Sequence, residues 1–295
     1  MPSISPTPEK PAAGLYVVAT PIGHLADITL RAIAVLSGVD LIAAEDTRHT
    51  RRLLDHYQIR NRLVSYHEHN EARRTAELIA QLEQGAAIAL VTDAGTPAVS
   101  DPGFRLVQAA VQKGLPVFPI PGVSAAITAL SAAGLPTDQF SFVGFPVRGR
   151  SKRREQLTAL AHLPYTLIFY QSPQRLVSFL EELVEILGDR PAVLARELTK
   201  LHEEFLRGSL AQILADLQAR ESLKGECTLL VAGAQEASPA HGQEELDAAI
   251  VRALADKQRS MKELSKALAD RFQVSRKQVY ERALQLKPDE GCDDV

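Results

Sequence analysis

The chain has 295 residues, of which 45% are hydrophobic and 23% are charged, with a formal net charge of −3. This composition is typical of a globular protein that can form two domains and an appendage. The two cysteines, Cys227 and Cys292, exclude a disulfide framework and a cysteine zinc site. No apolar run reaches the ~18 residues of a membrane-spanning helix, and prolines interrupt the first residues, so we expect a cytoplasmic protein.

Short apolar runs alternate with amphipathic segments from Gly14 onward. The pattern predicts strands at 15–20, 41–44, 63–64, 86–91 and 117–120, and helices at 29–36, 51–57, 73–83 and 102–113. Such alternation is typical of βαβ units and predicts a mostly parallel sheet with helices on both faces. We therefore expect a flexible N-terminus over 1–13 and an N-terminal α/β domain over 14–121.

A sharp turn at 121–125 leads into a helix of small residues at 125–133, which we interpret as the hinge to a second α/β domain over 122–235. Strands are predicted at 140–144, 165–170, 192–196, 205–206 and 227–232. Helices are predicted at 155–160, 173–187 and 209–217. The pattern indicates a mixed sheet and leaves its strand order open.

The composition changes after Gly233, which predicts a linker over 236–243, a small helical domain over 244–288 and a tail over 289–295. Helical spacing appears at 246–254, 261–272 and 275–286, and the break between the last two has the length of a helix-turn-helix corner. From Arg252 to Lys287 there are ten Lys or Arg and four Asp or Glu. This local charge of +6 suits either nucleic-acid binding or packing on the parent protein.

A polar loop follows the apolar run at 86–91 and continues to Gly103. In an open parallel sheet, ligands bind beyond the carboxyl ends of the strands, so this loop is a candidate binding surface. Pro97 stands where a dinucleotide fingerprint needs its second glycine, and a Walker A loop is absent. We expect Asp101 to cap a helix that begins at Pro102.

Five segments resemble one family: Leu15–Thr29, Ala44–Arg48, Thr92–Gly103, Pro119–Ala125 and Phe169–Arg175. Together they are similar to the ribosomal RNA small subunit methyltransferase I family of the tetrapyrrole methylase superfamily, and the likeness continues through Ala195–Lys200. The resemblance implies a homodimer of two-domain α/β chains with S-adenosylmethionine in the cleft between the domains. It also implies 2′-O-methylation of a cytidine in the decoding region of 16S rRNA, within the 30S subunit. His24 departs from the asparagine usual at its position.

The resemblance also implies where the cofactor binds. The loop from Asp93 to Asp101 would contact the methionine part, the turn at 124–125 would lie beside it, and two strand ends of the second domain would flank adenine or ribose. The residues so assigned are Pro21, Asp93, Ala94, Gly95, Val99, Ser100, Asp101, Ser124, Ala125, Tyr170, Ser172, Ala232 and Gly233.

Methyl transfer to a ribose hydroxyl needs alignment of donor and acceptor, and a nearby group that accepts or orients the hydroxyl proton. The candidates at strand ends are Glu45, Asp46, Glu197 and Lys200. Each has an alternative explanation, since the first pair can cap the next helix and the second pair can form an ordinary salt bridge. The residues alone do not choose between these roles.

Two basic runs are candidates for contacts with RNA phosphates. The first comprises Arg148, Arg150, Lys152, Arg153 and Arg154 in a predicted loop, and the second comprises Arg48, Arg51 and Arg52. His67 and His69 lack a third ligand at a recognisable spacing, so no metal is expected. A methylase of a small tetrapyrrole intermediate and a ligand-sensing helix-turn-helix regulator remain as alternative functions.

Overall fold

The computed structural model describes residues 10–234, 239–255, 261–272 and 274–286. The chain divides after Gly233 into two compact units. Part of the predicted flexible N-terminus, residues 1–9, lies outside the described residues, whereas Ala12 already accepts a hydrogen bond from the Tyr16 hydroxyl at 2.8 Å. None of the helices in the described ranges is long and apolar enough to cross a membrane.

The first sheet consists of five strands that are all parallel, in the order β3-β2-β4-β1-β5. The strands are β1 (Gly14–Val18), β2 (Leu41–Ala44), β3 (Leu63–Ser65), β4 (Ala87–Val91) and β5 (Val117–Ile120). Helices α1 (Leu30–Gly38), α2 (Thr47–His56), α3 (Glu71–Glu83) and α4 (Phe104–Gln112) connect them. Side chains from alternate positions of β4 enter two separate apolar cores, so helices cover both faces as the sequence predicts.

Parallel pairing brings the carboxyl ends of neighbouring strands to one edge of this sheet. Ala44 pairs with Val91, so the residues that follow β2 and β4 lie side by side. Thr20, just after β1, forms two backbone hydrogen bonds with Gly95, of 2.9 and 3.0 Å. The polar loop after β4 is therefore held against the end of β1.

The second sheet is mixed, in the order β6-β7-β10-β8-β9, and of its neighbouring pairs β6 and β7 are parallel while the others are antiparallel. Its strands are β6 (Phe140–Gly144), β7 (Thr166–Gln171), β8 (Pro191–Arg196), β9 (Glu204–Ser209) and β10 (Cys227–Val231). Helices α6 (Arg150–Leu160), α7 (Pro173–Leu187) and α8 (Leu210–Gln218) cover one face. Helix α5 (Ala125–Ala133) packs on the other face through small residues.

Helix α6 begins at Arg150, which corrects the predicted basic loop. Residues 150–154 carry little apolar periodicity, so sequence patterns do not detect this first turn. Arg153 and Arg154 instead attach it to α7 through paired hydrogen bonds to Glu182 and Glu185. Tertiary ion pairs therefore hold the segment that the sequence pattern left as a loop.

The C-terminal unit contains α9 (Pro239–Ala255), α10 (Met261–Phe272) and α11 (Arg276–Leu286) around a small apolar core. Helix α9 begins at Pro239, inside the predicted linker. Proline is compatible with the first helical turn, because the N–H that it lacks would have no partner within the helix at that position. Arg282 binds Asp247 through hydrogen bonds of 2.8 and 2.6 Å, which ties α11 to α9. Residues 236–238 of the linker and the predicted tail at 289–295 lie outside the described residues.

Candidate active site

A cavity of about 310 Å³ lies between the loop after β4 and the near edge of the second sheet. We call it the Asp101 cavity. Of the residues assigned to the cofactor, it is lined by Ala94, Gly95, Val99, Ser100, Asp101, Ser124, Ala125, Tyr170 and Ser172. Its volume falls in the range of small-molecule sites. The structure thus brings most of the assigned residues together from the edges of both sheets.

The loop after β4 reaches the cavity through several left-handed backbone conformations. Gly95, Ala98, Ser100 and Gly103 have φ values of 85°, 67°, 65° and 136°. Positive φ is costly for non-glycine residues and persists where the surroundings impose it. Ser100 also packs against Gly144, where an added Cβ would lie 2.6 Å from its Oγ. The end of β6 therefore helps to fix the shape of this loop.

Asp101 does not cap α4, which corrects the expected N-cap. Gly103 precedes the helix, and its φ of 136° leaves the carboxylate of Asp101 at the cavity wall. Burial raises the pKa of Asp101 to about 7, and the negative charges of Glu45, Asp93 and Glu226 act in the same direction against a hydrogen bond from Thr92. Asp101 is therefore poised to exchange a proton near neutral pH.

Glu45 lies behind the cavity surface rather than on it. Its Oε2 accepts hydrogen bonds from Thr92 Oγ1 at 2.5 Å and from the backbone N–H of Asp93 at 3.3 Å. Burial also raises the pKa of Asp93, whose Oδ1 accepts from the backbone N–H of Asp46 at 3.1 Å. Glu45 thus holds Thr92 and the backbone of Asp93 in place.

Asp46 has the helix-capping role that the sequence left open. Its carboxylate accepts the backbone N–H of Arg48 at 2.8 Å and binds the guanidinium at 2.9 and 3.2 Å. These hydrogen bonds lower the pKa of Asp46 to about 2. Such a carboxylate is a poor proton acceptor at neutral pH, and Asp46 lines neither this cavity nor the next.

A second cavity, of about 380 Å³, adjoins the first and contains Lys200 in its lining. This Lys200 cavity is lined by Thr20, Pro21, Ile22, Gly23, Leu25, His49, Thr50, Arg52, Leu53, Thr92, Asp93, Ala94, Lys200 and Glu226. It therefore contains two further residues assigned to the cofactor, Pro21 and Asp93. It shares Ile22, Ala94 and Glu226 with the Asp101 cavity.

Lys200 is held by two carboxylates. Its Nζ lies 2.9 Å from Glu197 and 3.1 Å from Glu226. Burial acts to lower the pKa of Lys200, but the hydrogen bonds to both carboxylates outweigh it and raise the pKa above its usual value. The ammonium therefore stays protonated and supplies a positive charge rather than a base. Gly23 lies against the Lys200 stem, where an added Cβ would be 2.6 Å from Cγ.

Glu197 adopts a φ of 52° and accepts the backbone N–H of Glu226 at 3.0 Å. The hydrogen bond from Lys200 is the main cause of its lowered pKa. Glu197 does not line either cavity. Its contacts indicate that it positions Lys200 and the segment that enters β10.

The structure does not place Ala232 and Gly233 at the Asp101 cavity. Strand β10 runs antiparallel to β7, so Cys227 pairs with Gln171 at the cavity edge and Val231 pairs with Leu167 far along the strand. Gly233 instead lies against Pro164 and Tyr165. The beginning of β10 provides the cavity residues Glu226, Cys227 and Thr228, which the sequence analysis missed. The strand direction was the necessary information, and local sequence does not contain it.

Four of the basic residues assigned to RNA contacts bind groups of the protein itself. Arg153 and Arg154 bind carboxylates of α7, and Arg48 binds Asp46. Arg51 donates to the backbone carbonyl of Asn61 at 3.5 Å. The third residue of this basic run, Arg52, lines the Lys200 cavity.

His24 caps the short 3₁₀ turn at 25–27, with its Nδ1 accepting the backbone N–H of Ala26 at 3.2 Å. Asparagine is a preferred residue for the same capping function, so the departure from the family pattern preserves a local role. Within the described ranges, no three His, Cys, Asp or Glu side chains are arranged to hold a metal ion.

Comparison with known proteins gives consistent results. The family model described as Tetrapyrrole (Corrin/Porphyrin) Methylases matches residues 14–214. "Ribosomal RNA small subunit methyltransferase I" from Micromonospora olivasterospora is 52% identical over 229 residues, which is 78% of this chain and 73% of that protein. The protein of the same name from Synechocystis sp. is 46% identical over 277 residues, covering 93% and 99% of the two chains.

Among solved structures, uroporphyrin-III C-methyltransferase from Thermus thermophilus in complex with S-adenosyl homocysteine matches this chain with a TM-score of 0.52 and 20% identity. The match covers 74% of this chain and 96% of that one, and it shows a common fold. The predicted fold class and the predicted methyltransferase class are thereby confirmed. The chain belongs to the tetrapyrrole methylase family and, within it, to the ribosomal RNA small subunit methyltransferase I family.

Proposed function

We propose that this protein transfers the methyl group of S-adenosylmethionine to the ribose 2′-hydroxyl of a cytidine in the decoding region of 16S rRNA. The observation that carries the proposal is the Asp101 cavity, whose lining includes Asp101 and Glu226 and lies close to Glu45 and Asp93. A cluster of carboxylates favours a bound cation, and the reactive sulfonium of the cofactor is cationic. The names of the relatives supply the RNA substrate.

The residues assigned to the cofactor, apart from Ala232 and Gly233, line the Asp101 cavity or the Lys200 cavity. The loop after β4 and the turn at Ser124 would bind the cofactor through backbone groups as well as through the carboxyl group of Asp101. Tyr170 would form one wall, since its hydroxyl accepts the backbone N–H of Ala126 at 3.1 Å and its ring lines the cavity. Its burial raises the pKa of the Tyr170 hydroxyl, so this wall stays neutral.

The acceptor hydroxyl must lose a proton as the methyl group arrives. Asp101 is the group we assign to that proton, because it lines the cavity and has a pKa of about 7. Glu45, Asp46 and Glu197 then act as positioning residues. Lys200, as a fixed cation in the adjoining cavity, would orient an oxygen of the substrate.

The substrate is proposed to be the assembled 30S subunit, modified in the cytoplasm. The alternative of a small tetrapyrrole substrate is testable in the same assay. Labelled S-adenosylmethionine would be incubated with undermethylated 30S subunits, naked 16S rRNA and a tetrapyrrole precursor, followed by nucleoside analysis. We expect label as 2′-O-methylcytidine from the 30S subunits. Label on the tetrapyrrole alone would contradict the RNA proposal, and label on naked rRNA alone would contradict the assembled substrate.

We also propose a homodimer. Large apolar side chains are exposed on one helix of each α/β domain: Phe104 and Val111 on α4 are 63% and 62% exposed, and Ile127 on α5 is 51% exposed. Pairing with a second copy would remove such side chains from water. Sedimentation equilibrium should give twice the chain mass, and Phe104→Asp should shift the mass toward that of the monomer. A monomeric wild type would contradict the proposal.

A further inference from the structure

A third cavity, of about 320 Å³, lies on the other side of Phe145 and Gln171 from the Asp101 cavity. We call it the Arg175 cavity. It is lined by Phe145, Pro146, Val147, Arg148, Arg153, Gln171, Arg175, Ser178 and Phe179. Three of these residues are arginines and none is acidic. The two cavities that share this wall therefore have opposite charge.

The three arginines differ in what they bind. Arg153 is engaged by Glu182, whose two oxygens lie 2.7 and 2.6 Å from its guanidinium nitrogens. Arg148 and Arg175 are exposed, and within the described part of the chain neither has a carboxylate within ion-pair distance. Two guanidinium groups thus line one cavity with their charge uncompensated. Such an arrangement is electrostatically unfavourable until an anion enters.

Both unpaired arginines lie near helix starts. Arg175 is in the first turn of the 15-residue helix α7, and Arg148 lies just before α6. Ser172 and Pro173, at the start of α7, line the Asp101 cavity and not the Arg175 cavity. The positive charge of the Arg175 cavity is therefore that of its arginine side chains.

We propose that the Arg175 cavity binds a phosphodiester of the RNA substrate next to the nucleotide that is methylated, through Arg148 and Arg175. This inference rests on the proposed function. A ribose with its 2′-hydroxyl in the Asp101 cavity has phosphates on either side, so one of them must lie close by. Phe145, 58% exposed and in edge contact with the Tyr170 ring at 5.6 Å between ring centroids, lines both cavities. Guanidinium groups match the geometry of phosphate oxygens.

The test uses the full chain with Arg148→Gln, Arg175→Gln and the double variant, and with Arg175→Lys. Arg60→Gln is the matched control, because Arg60 is an exposed arginine outside all three cavities. Binding to undermethylated 30S subunits is measured between about 50 and 200 mM KCl at constant Mg²⁺. Steady-state methyl transfer, S-adenosylmethionine affinity and the unfolding temperature are measured alongside.

Each single Gln variant should raise the KM for 30S subunits about tenfold, while kcat, cofactor affinity and the unfolding temperature stay at wild-type values. The slope of log K against log [KCl] should become less steep by about 0.7 to 0.9 for each lost contact. Arg175→Lys should keep the salt slope and lose part of the affinity, since it retains the charge without the paired donors.

Wild-type KM and salt slope in both Gln variants would overturn the proposal, and so would an equal loss in Arg60→Gln. Absence of methyl transfer to 30S subunits by the wild type would instead contradict the proposed function. In that case the salt slopes of the wild type and the double variant still decide whether these arginines bind RNA phosphates. The two failures are therefore distinguishable.

Discussion

The Asp101 cavity and the Arg175 cavity share a wall and differ in charge. In the first, burial and neighbouring carboxylates hold the pKa of Asp101 at about 7. In the second, Arg148 and Arg175 have no acidic neighbour in the lining. A site that concentrates one sign of charge stabilises a ligand of the opposite sign. The comparison explains how one cleft can bind a cationic methyl donor beside an anionic acceptor.

The most direct way to break this contrast is Asp101→Asn. We expect methyl transfer to fall about 100-fold, because the variant loses the proton acceptor. Affinity for S-adenosylmethionine should fall about tenfold, while affinity for S-adenosyl homocysteine, which lacks the sulfonium charge, changes little. Isothermal titration with both ligands and single-turnover methylation check this, with Asp138→Asn, an exposed aspartate, as the control. Equal losses for the two ligands would exclude a charge interaction.

Substitution of Arg153, which lines the Arg175 cavity, tests whether this arginine stabilises the fold rather than binds RNA. Arg153→Met leaves Glu182, which is 7% exposed, without its partner, so we expect a loss of about 2 kcal/mol in the free energy of unfolding. Arg154→Met should cost less than about 1 kcal/mol, because its pair with Glu185 is more exposed. Urea denaturation measures both. A stable Arg153→Met variant with a much weaker affinity for 30S subunits would reverse the division between paired and unpaired arginines.

Glu45→Gln sharpens the role of charge in the acidic cavity. The charge of Glu45 helps to raise the pKa of Asp101, so its removal should shift the pH midpoint of S-adenosylmethionine binding downward by about half a unit to one unit. Turnover should fall about tenfold because the neutral amide oxygen of Gln is a weaker acceptor than the carboxylate for the hydrogen bonds from Thr92 and Asp93. Titrations between pH 5.5 and pH 8.5, about the expected midpoint, provide the measurement. An unshifted midpoint would show that Glu45 acts through packing alone.

The smallest expected effect is on stability. The folded-state pKa of Asp101 is raised from 3.8 to about 7, so between these values the folded protein holds a proton that the unfolded chain has released. The free energy of unfolding should therefore fall as pH rises through this window. Because Asp101 is partly exposed, we expect about 1 kcal/mol rather than the full value of the shift.

Asp101→Asn should lose this pH dependence and be more stable than the wild type at pH 8. Chemical denaturation of both proteins at pH 5 and pH 8 gives the difference between them, which removes the contribution of other titrating groups. A constant difference across this range would show that the carboxyl of Asp101 titrates normally. The same data would then weaken its assignment as proton acceptor.

The sequence determined the elements with strong periodicity. β2, β5, α5, β6, α7 and α10 have the predicted bounds, because their apolar spacing and flanking turn residues agree. The parallel first sheet followed from βαβ alternation, and this in turn located the loop after β4 at the binding edge. Local pattern suffices where neighbours in sequence are also neighbours in the fold.

Tertiary structure decided the rest. Ala232 and Gly233 lie at the wrong end of β10 because strand direction in a mixed sheet depends on distant partners. The helical start of α6 depends on Glu182 and Glu185, about 30 residues further along the chain. The raised pKa of Asp101 likewise arises from burial and from carboxylates that only the fold brings close, and the absence of a carboxylate partner for Arg175 among the described residues also depends on the fold. Electrostatic interactions act through space, so their outcome cannot be read from local sequence.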